Sequence, residues 1–161
     1  MKPLACLFLL CLNLWSFAQQ APYSKETIAL DDAHKYLLLI RNEHQRLIYT
    51  GAFDTPQSLP VGSHYHFNDD GSIKNLMEYS FSGDFFEGVP VVTQTTHVFD
   101  ENQKIEKIIQ AQRCTECEYS PTGTWFFYKN GTLEKTVKAH EALNLAHREF
   151  EIYWELLERC K

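Results

Sequence analysis

The stretch Tyr65-His66-Phe67-Asn68-Asp69-Asp70-Gly71-Ser72-Ile73-Lys74-Asn75-Leu76 carries the grammar of a β-hairpin. An aromatic strand end runs into a polar turn closed by glycine, and β-branched Ile73 restarts a second strand. The same order of residue types returns at His97-Val98-Phe99-Asp100-Glu101-Asn102-Gln103-Lys104-Ile105. It returns again, one residue shorter, at Phe126-Phe127-Tyr128-Lys129-Asn130-Gly131-Thr132-Leu133, and more faintly at Leu39-Ile40-Arg41-Asn42-Glu43-His44-Gln45-Arg46-Leu47-Ile48. With Ile40, Phe67, Phe99 and Tyr128 as equivalent points, the steps are 27, 32 and 29 residues. Steps of this size mark one supersecondary unit used several times, each copy burying its neighbour's apolar face.

The turns obey the chemistry of tight hairpins. Asn130-Gly131 suits a type I′ turn, where both central residues need positive φ, and Asp70-Gly71 serves the same need. Gln103 stands where the third copy should have glycine, which predicts a longer or more strained turn there. Trp125, Phe127 and Tyr128 crowd one strand, and Val91, Val92 and Val98 flank a Thr-rich one. Periodicity alone leaves Leu37-Leu38-Leu39-Ile40 as buried helix or strand, and its place in the repeat makes it a strand. From Ala139 the period changes: Ala139, Leu143, Ala146, Phe150, Tyr153, Trp154 and Leu157 follow the three-and-four spacing of an amphipathic helix. The expected fold is mainly β: an antiparallel sheet of three to four repeated hairpins over 19–138, with a C-terminal amphipathic helix over 139–161 packed on it.

Gly123-Thr124-Trp125-Phe126-Phe127-Tyr128-Lys129-Asn130-Gly131-Thr132-Leu133 resembles a MORN-variant repeat, the Gly-x-Trp-x-x-Tyr-x-x-Gly-x-Leu pattern of bacterial proteins often labelled antitoxin-like. The stretch from Gly83 to Ile105 is similar to the preceding unit of such an array. The resemblance implies successive hairpins in an elongated, twisted meander and an interaction module, and it transfers no catalytic residue. Gln103 in place of glycine, the irregular steps and the final helix depart from the family pattern.

The N-terminus reads as an export signal. Lys2 precedes the apolar run Leu4–Leu12, and Ser16-Phe17-Ala18 puts small residues where a peptidase cutting after Ala18 needs them. Asn13 ends a run too short to cross about 30 Å of hydrocarbon, so residues 1–18 read as a cleaved signal rather than an anchor. Cleavage leaves 143 residues, enough for one domain, and removes Lys2, taking the net charge from −6 to −7. An acidic chain with no basic run is ill suited to nucleic acid or an anionic membrane. The expected location is the periplasm or the medium, and the expected partner is another envelope or extracellular protein.

Three cysteines survive cleavage: Cys114, Cys117 and Cys160. In an oxidising compartment Cys114 and Cys117 read as a disulfide stapling the loop before the last hairpin, with Cys160 either free or the true partner of one of them. The alternative is a thiol- or metal-binding envelope protein built on Cys114 and Cys117. Against redox work, a loop rather than a helix follows the pair, and Glu116 and Glu118 would raise the thiol pKa. His64 and His66, at i and i+2, share a strand face, but no carboxylate is placed to finish a metal site. No cofactor, metal or catalytic set follows from these residues.

Ser82-Gly83-Asp84-Phe85-Phe86-Glu87-Gly88-Val89-Pro90 is the segment that reads as a binding loop. Adjacent aromatics on an extended chain face opposite ways, which leaves one of Phe85 and Phe86 to a partner; the alternative folds both rings under a bulge. Trp125 and Tyr128, on the aromatic hairpin, complete the candidate binding residues. The functional expectation is a non-enzymatic, exported binding module.

Overall fold

A computed structural model describes residues 23–30, 35–54, 59–86, 88–114, 119–141 and 148–160. The expected signal segment lies outside the described residues. The chain forms an open antiparallel meander of ten strands: β1 Tyr23–Ala29, β2 Tyr36–Asn42, β3 Leu47–Phe53, β4 Pro60–Phe67, β5 Ile73–Phe86, β6 Val89–Phe99, β7 Ile105–Arg113, β8 Ser120–Pro121, β9 Thr124–Lys129 and β10 Thr132–Lys138. Strands pair in chain order from β1 to β7, β9 follows β7, β10 closes the path, and the short β8 also leans on β7. Leu37 to Ile40 lie in β2, so the apolar run is a strand. β1 was not legible in advance: six of its seven residues are exposed, and no alternation marks it.

In such a meander every second connection returns to the same end of the sheet, and that end carries the four repeated turns. Three are one structure. Asn42, Asn68 and Asp100 each accept a backbone N–H from the residue three positions on, Gln45, Gly71 and Gln103. Each of those residues sits at positive φ, 60°, 87° and 58° respectively, and the strand pairing slips by one beside each turn. The carboxamide of Asn42 and the carboxylate of Asp100 each cap two backbone N–H groups of their own turn.

The turn at Gln103 is thus the same length as the one at Gly71, which corrects the expectation of a longer turn. Left-handed backbone costs a side-chain-bearing residue about 1 kcal/mol or more, a cost glycine avoids. Gln103 offsets it with its side chain, whose amide accepts from Ile73 N–H and donates to Ile73 C=O, both at 3.0 Å. The glutamine therefore ties its own turn to the start of β5. The fourth turn is the two-residue kind, with Asn130 and Gly131 at φ 53° and 80°.

One face of the sheet is the core. Leu38, Ile40, Ile48, Phe53, Met77 and Tyr79 make one buried cluster, and Ile109, Ala111 and Trp125 anchor a second. Between them β6 presents Gln94 and Thr96, both fully buried, with Gln94 Nε2 donating to Thr96 Oγ1 at 2.9 Å. The C-terminal region is less continuous than a helix over 139–161. A 3-10 turn, Ala139–Glu141, is followed by helix α1, Arg148–Glu158, and 142–147 lie outside the described residues. α1 bridges the clusters: Phe150 joins the second, Ile152 and Leu156 the first. Ile152 and Leu156 are the buried positions that the spacing from Ala139 missed.

Candidate functional site

The β5–β6 hairpin is longer than its neighbours can cover. β4 pairs with β5 only as far as Tyr79, and β7 with β6 only as far as Val92, while the hairpin itself stays paired out to Phe86–Val89. The segment expected as a loop is therefore paired strand, kinked by a bulge between Phe81 and Phe85. Beyond Tyr79 and Val92 this two-stranded tip has no flanking strand among the described residues. Phe81 and Phe86 are each 56 % exposed there, the most exposed of the described large hydrophobics. The side chain of Phe85 lies outside the described ones.

The other two predicted binding residues are elsewhere. Trp125 is 1 % exposed, and its indole N–H donates to Gln110 C=O at 3.0 Å and to Thr122 C=O at 3.1 Å. Its ring packs against Phe150, so Trp125, expected among the binding residues, is a core residue. Tyr128 is half-buried opposite Leu133, beside the last hairpin turn and hence at the end of the sheet away from the Phe86 tip. The four residues do not form one surface.

Cys114 directly follows β7 and is 2 % exposed, while Cys117 lies outside the described residues. The chain on either side of 115–118 is tied down: Arg113 donates to Tyr119 Oη at 2.6 Å and lies over its ring, and Tyr119 stacks on Phe150. Cys160 is a free thiol, its Sγ donating to Leu156 C=O at 3.3 Å, and burial pushes its pKa up.

The two strand histidines have separate roles. A bulge in β4 opposite Gly51 lays the His64 ring across that glycine, where a Cβ would collide with it. His64 Nδ1 accepts from Tyr49 O–H at 2.5 Å, and Nε2 donates to Ala52 C=O at 2.7 Å. With both ring nitrogens engaged, and rings of Phe53 and Tyr79 at 4.9 and 4.5 Å, His64 is a core histidine with no lone pair for a metal. Burial lowers its pKa to about 4, although hydrogen bonds from the ring to the backbone of Ala52 and Val61 oppose this. His66 also has its pKa lowered to about 4, first by burial and then by Lys74 and Arg159. Its Nδ1 meets Asn75 Nδ2 at 3.1 Å.

Among the described residues no group of three or more His, Cys, Asp or Glu could hold a metal, and no helix is long and apolar enough to cross a membrane. Comparison with protein-family models, with curated proteins and with solved structures finds no match to this chain.

Proposed function

We propose that the chain is an exported, non-enzymatic binding protein of MORN-variant type, which captures another envelope or extracellular protein with its β5–β6 tip. The observation that carries this is the projection of the tip past both flanking strands with Phe81 and Phe86 each more than half exposed. An aromatic side chain exposed on a rigid hairpin is the kind of anchor on which interface energy concentrates. Asp84 and Glu87 bracket the aromatic pair in sequence, and the whole chain carries a net charge of −6, so the matching surface is an apolar pocket rimmed by Lys and Arg. Export rests on residues 1–18, and the finer architecture, repeated hairpins closed by an amphipathic C-terminal helix, belongs to the same proposal. So does a Cys114–Cys117 disulfide, which rests on the spacing of the two cysteines and the expected oxidising compartment.

The test is crosslinking from the tip, in the envelope fraction of cells making the protein with its own signal. A photoreactive residue at Val89, the strand partner of Phe86, should crosslink one protein, and the crosslinking yield should fall with salt and vanish in Phe81→Ser/Phe86→Ser with the melting temperature unchanged. Equal crosslinking by the double variant would refute the tip as the docking element. The recovered chain should begin at Gln19 and be one pair of hydrogens lighter than its reduced form.

A further inference from the structure

A second site lies at the other end of the molecule and owes nothing to the hairpin tip. Between α1 and the turn end of the sheet is a cleft of about 450 Å³, within the range of small-molecule sites. Ile48, Phe67 and Val98 from the sheet and Ile152 and Leu156 from the helix give it an apolar wall. Its polar side holds His66, Asn75, Lys74, Glu155 and Arg159.

Asn75 is the feature that asks for a ligand. It is 2 % exposed, its Nδ2 is engaged with His66, and its Oδ1 has no hydrogen-bond partner. A buried acceptor left unmade costs about 1–3 kcal/mol, and native structures keep few of them without a use. The bond from Asn75 Nδ2 makes His66 Nδ1 an acceptor, so the neutral ring carries its proton on Nε2, a donor with no partner among the described residues.

Charge completes the pattern. Lys74 and Arg159 line the cleft, and neither is ion-paired among the described residues. Arg159 is instead positioned by Tyr23, donating to its hydroxyl at 2.8 Å with the guanidinium 5.4 Å from the ring centre. Glu155, on α1 four residues before Arg159, supplies an anion, and Asp69 at the rim accepts from Asn42 Nδ2 at 3.2 Å. An unmade acceptor beside a carboxylate, unpaired cations and an apolar wall together describe a zwitterion with an aliphatic or aromatic side chain.

The geometry points to a binding site for a free apolar α-amino acid: its carboxylate on Lys74 and Arg159, its ammonium on Asn75 Oδ1 and Glu155, its side chain on Ile48, Val98 and Leu156. Such a ligand supplies a donor to each unmade acceptor and an acceptor to each unpaired cation. Binding would also pin α1 to the sheet, because Glu155 lies on α1 and Arg159 directly follows it, while Asn75 and Lys74 belong to β5.

Calorimetric titration of the full chain tests it, with L-leucine, L-isoleucine, L-valine, L-methionine and L-phenylalanine as probes. At least one should bind, and its amide and its N-acetyl derivative should each bind at least about tenfold more weakly, since each removes one of the two charges. Arg159→Met should lower affinity by about tenfold or more, and Asn75→Leu should abolish binding while the melting temperature holds or rises. Phe81→Ser/Phe86→Ser should leave the titration unchanged, which separates this site from the tip. No heat from any of the five at about 10 mM would overturn the proposal. So would equal binding of the amide, which would show that a carboxylate is not read, or full binding by Asn75→Leu.

Discussion

Gly51→Ala puts the packing of His64 to the most direct test. The new methyl would collide with His64 Nδ1 and Cγ and lie 2.7 Å from Cε1. The ring cannot step aside cheaply, because Tyr49 and Ala52 hold its two nitrogens and the rings of Phe53 and Tyr79 flank it. Moving it forfeits two hydrogen bonds, each worth about 1 kcal/mol, and overpacking a buried site adds about 1–3 kcal/mol. The expected loss is about 3–5 kcal/mol, a fall in melting temperature of about 10 °C or more for a domain of this size. Urea unfolding followed by tryptophan fluorescence reads it, and the decisive comparison is a double-mutant cycle. In a His64→Ala background the methyl enters the space the ring has left, so Gly51→Ala should cost about 1 kcal/mol or less. A similar cost in both backgrounds, or a single variant within about 0.5 kcal/mol of the parent, would refute the reasoning.

Two further outcomes follow from described geometry. Gln103→Ala should lose about 1–2 kcal/mol in chemical denaturation, since it keeps the left-handed backbone and drops both bonds to Ile73; Gln103→Gly should recover about 1 kcal/mol of that, and a neutral alanine would contradict the amide's role. His64 and His66 have folded-state pKa values lowered to about 4, against about 6.5 in the unfolded chain, so below pH 6.5 the unfolded state takes up protons that the folded state refuses. Their stabilisation is whole above pH 6.5 and is lost as pH falls towards 4, by about 3 kcal/mol per histidine; His66→Gln should remove about half of the slope in that window, and an unchanged slope would sink the assignment.

The repeat was legible because hairpin turns are local. The backbone bonds that close the turns, Gly71 to Asn68 and Gln103 to Asp100, span three residues, so a window of a dozen residues contains the cause of each turn, though not the bonds from the Gln103 side chain to Ile73. The end of β5 was misread for a related reason. Gly83, Gly88 and Pro90 are loop-forming by composition, but cross-strand pairing through the bulge carries the strand on to Phe86. The burial of Trp125 was not legible because residue type does not say which face a strand buries; the packing against β7 and the helix decides it. The cleft was beyond sequence reading. Its bond from Arg159 to Tyr23 spans 136 residues, and the unmade oxygen of Asn75 exists only once β4, β5 and α1 have met.

That long bond has a consequence for how the chain folds. Every strand from β2 to β7 finds its partner in the strand just made, so each pairing closes only a short loop and the sheet can grow hairpin by hairpin. Docking α1 is the opposite kind of step, drawing the last turn of the helix against the first strand across nearly the whole chain. We expect the helix to be last to fold and first to lift, opening from the sheet while the meander stays paired. Native-state hydrogen exchange should then show α1 amides opening at lower free energy than those of β5 and β6, and equal protection would contradict it. A lid that lifts alone lets a ligand in and out without unfolding anything else.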